Sequence, residues 1–217
     1  QKHFDVASAY HDYSYGRQTL SQIASRHGIS ERRVQEKFDA YQPLSGTIRP
    51  VTHPVHVFID ATFFGREFGV LVFRSEGKNL YWRFIQSESL ADLEMALEGL
   101  DQICLGGYLG FTIDGKPGLR QLLDQRYEKP VYMCLFHQQQ IVRRYTTTRP
   151  KTSCGQALRR FSLSLTRRPG LTVSTAFAVF EALYDPYLRE RNDKGQFAHR
   201  RLRSAHRSLR KNLPFLC

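Results

Sequence analysis

Val55-His56-Val57-Phe58-Ile59-Asp60 and Leu109-Gly110-Phe111-Thr112-Ile113-Asp114 are two short runs of β-branched and aromatic residues, each closing on an aspartate. Runs of this length and composition read as strands buried in a sheet. A carboxylate closing such a strand stands where the sheet hands its last side chain to a cleft. Two of them on neighbouring strands offer hard oxygen donors for Mg2+ beside a phosphate. Taken alone, Asp60 could instead be a turn-former, and Asp114-Gly115 is one of the commonest turn pairs. What surrounds the two runs decides between these readings.

Between the two runs lie two further strand signals, Phe68–Arg74 and Leu80–Ile85, joined by short links rich in glycine and charge (Gly65-Arg66-Glu67 and Ser75-Glu76-Gly77-Lys78). Links this short predict an antiparallel meander. Ser89 then opens a helix whose Leu90, Leu93, Leu97 and Leu100 share one face to about Ile103, and Gly106-Gly107 breaks it. The strand to Asp114 follows, then a helix over 119–125, a strand over 131–135 and a helix from about His137 to Tyr145. From about Thr152 the pattern is helical: Gly155–Leu165, Thr172–Glu190 and 199–212, with a turn at Asn192-Asp193-Lys194-Gly195.

The charge is one-sided. The 217 residues carry a formal net charge of +12, which favours a polyanionic partner. No acid occurs between Glu128 and Glu181, a window holding Arg143, Arg144, Arg149, Lys151, Arg159, Arg160, Arg167 and Arg168. Beyond Asp193 come Arg200, Arg201, Arg203, Arg207, Arg210 and Lys211, again without an acid. A solvated helix face ordinarily mixes signs, so single-sign stretches point to phosphate contact. His199 and His206 fall in this basic stretch and read as phosphate-facing or surface groups. His56 alternates onto the same face as Phe58 and Asp60 and reads as a packed or rim histidine.

Near the N-terminus, residues 19–34 read as helix, tight turn, helix. Leu20, Ile23 and Ala24 share a face, Gly28 supplies the turn, Ser30 caps the second helix, and Val34 and Phe38 return to the core. The spacing is that of a helix-turn-helix whose second helix presents Arg32 and Arg33 to a major groove, although a packing hairpin has the same pattern. Pro43 to Pro54, with three prolines and no acid, reads as a linker. The four cysteines are scattered without a Cys-x-x-Cys pair, which points to a reducing, intracellular setting. No run approaches the roughly 20 apolar residues of a membrane helix.

Three antiparallel strands followed by helix, strand, helix, strand, helix match the order of the RNase H-like fold, an α/β fold with a mixed sheet and flanking helices. Within it, Ile59-Asp60-Ala61-Thr62, Ile113-Asp114-Gly115-Lys116 and the Cys-x-x-His spacing of Cys134-Leu135-Phe136-His137 resemble the Mutator-like DDE transposases, a group that includes many bacterial insertion-sequence enzymes. The resemblance covers roughly residues 15 to 217. It implies DNA cleavage and strand transfer, with Asp60 and Asp114 as catalytic metal ligands for two Mg2+ ions. His137 and Cys134 become active-site neighbours. Arg32, Arg33, Arg143, Arg144, Arg149, Lys151, Arg200, Arg201, Arg203 and Arg207 become DNA contacts. The implied partners are terminal inverted repeats and target DNA, bound by a homodimer in the cytoplasm, nucleoid-associated, with no membrane.

The expected division is a helix-turn-helix module over 1–45, a linker over 46–54, a catalytic core over 55–150 and a basic, all-helical insertion region over 151–217. The resemblance also implies a catalytic glutamate in a Thr-Asn-x-x-Glu stretch after the insertion. None occurs here, so the remaining core elements are expected beyond residue 217, or else the chain is a truncated remnant that binds DNA without cutting it. Glu181 and Glu190 are the nearest acids, both in an insertion helix. Another RNase H-like nuclease is the remaining reading.

Overall fold

A computed structural model describes residues 4–41, 49–65, 67–167 and 170–216, the side chains of 170 and 171 excepted. Residues 46–48 of the expected linker, Arg66, Arg168 and Cys217 lie outside the described residues. The chain separates into two units, Gln1–Thr47 and Ile48–Cys217.

In the first unit, α1 (Val6–Ser14), α2 (Leu20–His27) and α3 (Glu31–Asp39) bury Ala9, Ile23, Ala24, Val34 and Phe38. The local chemistry specifies both junctions. Thr19 Oγ1 accepts from the Gln22 backbone N–H at 3.2 Å, and Gln22 Oε1 accepts from the Thr19 N–H at 2.8 Å, a reciprocal cap on α2. Gly28 ends α2 in the left-handed region at φ 65°, and Ser30 Oγ caps α3 by accepting the Arg33 N–H at 3.3 Å. The helix α1 was not anticipated from the sequence.

The second unit is built on a five-stranded sheet. Its strands are β1 (Val55–Phe64), β2 (Phe68–Ser75), β3 (Lys78–Ile85), β4 (Tyr108–Ile113) and β5 (Val131–Met133), in the order β3-β2-β1-β4-β5. β1–β2 and β2–β3 are antiparallel, whereas β1–β4 and β4–β5 are parallel. This order and these senses are those of the RNase H-like fold.

The odd-numbered residues of β1 (Val55, Val57, Ile59) are buried beneath α4 (Leu90–Asp101) and α5 (Pro117–Tyr127), joined by Leu71, Phe73, Phe111 and Ile113 and by Leu93, Leu97 and Leu100 of α4, whereas Leu90, expected on that face, is exposed. Each such side chain removed from water contributes on the order of 2 kcal/mol. The even-numbered side chains therefore stand on the opposite face, where Phe58, Phe64, Trp82 and Phe84 are exposed. Val51, within the expected linker over 46–54, is tied into this unit, donating to the Ile103 carbonyl at 2.8 Å.

A second core lies among α6 (Leu135–Thr146), α7 (Ser153–Ser164), α8 (Gly170–Arg189) and α9 (Arg200–Asn212). Val142, Leu158, Phe177, Phe180 and Leu209 are buried there. Gln138, fully buried on α6, accepts a hydrogen bond from Asn212 Nδ2 at 2.8 Å and so locks α6 to the end of α9.

Candidate active site

Phe58 pairs with Thr112 in the parallel ladder between β1 and β4, where the ladder stops. Two residues further along each chain stand Asp60, still on β1 and on its open face, and Asp114, just past β4. One expectation needs correction. Asp60 does not end its strand: β1 continues to Phe64, with Asp60 paired to Val72 and Phe64 to Phe68 on β2. The sequence pattern breaks at Asp60 because β1 loses β4 as a neighbour there. Thr62, Phe63 and Phe64 are all exposed, so no alternation marks that stretch as strand. Asp114, in contrast, lies one residue past the end of β4.

The turn after β4 orients the second carboxylate. Asp114 Oδ1 accepts the Lys116 backbone N–H at 3.1 Å. Gly115 lies between them at φ 96°, a region that L side chains rarely adopt, and a Cβ there would collide with Met133 Sδ. Lys116 Nζ reaches Glu88 Oε2 at 2.8 Å and also donates to the Glu88 carbonyl, tying this turn to the segment before α4. That pair is less than a third exposed on both sides.

The third wall is the start of α6. Cys134 is its N-cap residue without a side-chain cap, and its backbone N–H donates to the Ile113 carbonyl at 2.7 Å. This bond holds the helix start directly against the end of β4. The uncapped first turn leaves its amide dipoles facing outward, a setting that favours negative charge. His137 stands in that turn with Nε2 3.9 Å from Asp60 Oδ1, while its Nδ1 is buried without a hydrogen-bond partner among the described residues. Cys134, Phe58, Thr112, Tyr132, Phe136 and Leu216 line a shallow groove of about 440 Å³ beside it. His56 is half-buried on this face, with Nε2 2.8 Å from Thr112 Oγ1, and burial lowers its proton affinity.

Asp60, Asp114, His137 and Cys134 therefore lie along one edge, on β1, after β4 and at the start of α6. Among the described residues no group of three His, Cys, Asp or Glu side chains converges as a metal site. A zinc reading of Cys134 and His137 thus lacks further ligands. The two nearest acids of the insertion helix are engaged elsewhere: Glu181 accepts from His206 at 2.8 Å, and Glu190 pairs with His199 at 2.8 Å. His206 is buried with its ring stacked on Phe177, and His199 stacks on Tyr187. Neither histidine takes the phosphate-facing or free surface position expected of it, because each has a carboxylate and an aromatic ring supplied by α8 and the residue following it.

The basic residues divide in the same way. Arg33, Arg143, Arg144, Arg149, Lys151, Arg200 and Arg207 are exposed, and Arg32 is exposed but paired with Glu36 at 2.9 Å. Arg201 is spent on structure, donating to the Arg144 carbonyl at 2.6 Å and the Tyr145 carbonyl at 3.3 Å at the end of α6. Arg203 is half-buried and donates to the Leu188 carbonyl at 2.7 Å. No described helix is long and apolar enough to cross a membrane.

No protein-family model matches the chain, and no curated protein sequence matches it. Among solved structures it is similar to the HTLV-2 integrase catalytic core domain in complex with magnesium, at 13% identity and a TM-score of 0.30, over 72% of this chain and 97% of that one. A second is the simian T-cell lymphotropic virus intasome in complex with PP2A regulatory subunit B56 gamma, at 12% identity and 0.32, over 93% and 74%. A third is the Mos1 strand transfer complex, at 12% and 0.26, over 97% and 76%. The fold rests on the strand order and senses described above, to which likenesses of this size add nothing.

Proposed function

We propose that this chain is a DDE-type transposase that cleaves DNA and transfers strands, in the manner of the Mutator-like enzymes of bacterial insertion sequences. The observation that carries the reading is the position of Asp60 and Asp114, each two residues beyond the last pair of the parallel β1–β4 ladder in an RNase H-like sheet. Both are oxygen donors reachable from solvent, Asp60 being 59% exposed. Mg2+ keeps several waters and takes one or two carboxylates together with substrate phosphates, so this donor set fits it. Asp60 and Asp114 would hold the Mg2+, which would supply charge neutralisation at the phosphate and a more acidic attacking water or 3′-hydroxyl.

The chain's own groups do the rest. His137 restrains the Asp60 carboxylate from the α6 side. The Asx turn from Asp114 to Lys116 fixes the other carboxylate, and Gly115 lets β4 end close against Met133. The exposed arginines of α3, α6 and α9 neutralise DNA phosphates. α2 and α3 serve as the module that reads terminal inverted repeats. The homodimer and the cytoplasmic, nucleoid-associated setting belong to the same reading, since paired DNA ends need two copies.

The test is a nicking and strand-transfer assay on inverted-repeat DNA with Mg2+, using this chain and a chain carrying the sequence downstream of Cys217. Cleavage abolished by Asp60→Asn or Asp114→Asn supports the reading, and cleavage that survives both substitutions overturns it. One observation favours a second reading, a transposase remnant that binds DNA without cutting: no third carboxylate joins Asp60 and Asp114 among the described residues. Specific binding to inverted repeats, with no Mg2+-dependent cleavage by either chain, selects that reading.

A further inference from the structure

Five arginines close around one cavity between the end of α8 and α9. Arg189, Arg191, Arg203, Arg207 and Arg210 line it, at a volume of about 400 Å³. Its single lining carboxylate, Asp185, is taken by Arg189 at 2.7 Å. Glu181, next to it, is taken by His206 and lies 3.8 Å from Arg210. Arg191, Arg203 and Arg207 have no carboxylate partner among the described residues.

The guanidiniums are held in place by other means. The turn after α8 folds back on itself through a bridge between Arg191 and Phe197, with Arg191 donating to the Gly195 carbonyl at 2.6 Å. The Phe197 ring then carries the Arg203 guanidinium at 3.4 Å from its centroid and that of Arg191 at 4.4 Å. The ring is committed to these two cations and does not serve as a platform for a base. Burial and then the charges of Arg207, Arg189 and Arg191 lower the proton affinity of Arg203, while Asp185 raises it.

We propose that this pocket binds successive phosphate groups of a nucleic-acid strand. Guanidiniums fixed in orientation suit the oxygens of phosphate, which they bind by paired N–H donors. Arg203, Arg207 and Arg210 follow one another at i, i+4 and i+7, a row roughly 10 Å long on α9. At about 3.4 Å of duplex axis per phosphate on one strand, that row spans roughly three phosphate-to-phosphate steps. The proposal rests on DNA being the substrate and adds where the insertion region grips it. Its main contributors (Arg191, Phe197 and the orientation of Arg203) come from the turn rather than from the basic run alone.

The experiment is binding of a labelled short DNA duplex to the full chain in EDTA across a salt series, so that no cleavage enters the readout. Arg207→Gln, an exposed change, is expected to weaken binding several-fold and to reduce the slope of log K against log[salt] by about 1. Adding Arg191→Gln is expected to reduce it by about 1 more. Phe197→Leu is expected to weaken binding with the slope unchanged, because charge is kept and orientation lost. Affinity and slope unchanged in Arg207→Gln and in the double variant, with thermal midpoints intact, overturn the proposal while leaving the carboxylate site untouched. Poly-glutamate competing as well as DNA of equal charge overturns it in favour of an acidic polypeptide. A chain that binds no duplex at all overturns both this proposal and the proposed function.

Discussion

His137 Nε2 lies 3.9 Å from Asp60 Oδ1, so the first turn of α6 meets the middle of β1 on the open face of the sheet. The contact joins two elements far apart in sequence, and it depends on the Cys134–Ile113 backbone bond that seats α6 against β4. In the proposed function, His137 acts through Asp60, as a positioning group. His137→Ala is expected to slow Mg2+-dependent cleavage by about 10–100-fold, the usual cost of losing a partner that orients a metal ligand. His137→Gln, which keeps a donor, should recover part of that loss. DNA affinity in EDTA should be unchanged in both. Cleavage at the unmodified rate in His137→Ala would reduce the residue to packing.

In the proposed function, Asp60 and Asp114 separate stability from activity. Asp60 is 59% exposed, so Asp60→Asn should shift unfolding free energy by no more than about 0.5 kcal/mol. Asn at 114 retains an oxygen to accept the Lys116 N–H, so Asp114→Asn should also keep the turn. Each substitution removes a negative charge, so DNA binding in EDTA should stay equal or tighten while cleavage is lost. Thermal midpoints measured beside the cleavage assay check this. A midpoint that collapses with Asp60→Asn would make that carboxylate structural.

The sheet was legible because its buried strands carry a clear signal: Val55, Val57 and Ile59 alternate, and glycine-bearing links separate the meander. What escaped has physical causes. The continuation of β1 past Asp60 is exposed, so burial leaves no periodicity to read. α1 is short, and only Ala9 in it is fully buried. His206 looked like a surface cation because its partners, Glu181 and Phe177, come from α8, more than twenty positions earlier. The Arg191–Phe197–Arg203 stack needs a turn to fold back, which composition does not announce.

Gly115 is the position where the second carboxylate is most vulnerable to backbone change. At φ 96°, with Met133 Sδ where a Cβ would go, Gly115→Ala combines backbone strain with overpacking. The cost should be about 1–3 kcal/mol. For a chain of this size that lowers the midpoint by roughly 2–4 °C per kcal/mol. Differential scanning calorimetry reads it, and Gly65→Ala, which also sits at positive φ but has nothing within 4 Å, is the control for strain alone.

Arg201 should separate from the other basic residues of α9. Its guanidinium bonds the Arg144 and Tyr145 carbonyls at the C-terminal end of α6, where a cation also meets the helix dipole. Arg201→Ala should cost about 1 kcal/mol of stability. The salt slope of DNA binding should change little, in contrast to Arg207→Gln. A loss of one unit of slope with no change in midpoint would return Arg201 to the DNA-contacting set.

Alkaline pH should unfold the second unit through a buried phenol cluster. Tyr108 and Tyr127 both donate to Asp101 Oδ1, at 2.6 and 2.8 Å, and Arg126 holds the other oxygen at 2.7 Å. Burial, then the bond to Asp101, raises both phenols above their ordinary range, and burial pushes the Cys154 thiol up to about 11. The unfolded chain sheds its thiol protons near pH 9 and its phenol protons near pH 10, while the folded chain keeps them. The stabilisation is therefore fully present below those values and falls as pH rises, by about 1.4 kcal/mol per pH unit for each group in that window. Urea midpoints between pH 8 and 11 should decline accordingly. Tyr127→Phe should flatten the decline above pH 10, and an unchanged slope in that variant would remove Tyr127 from the set of groups responsible.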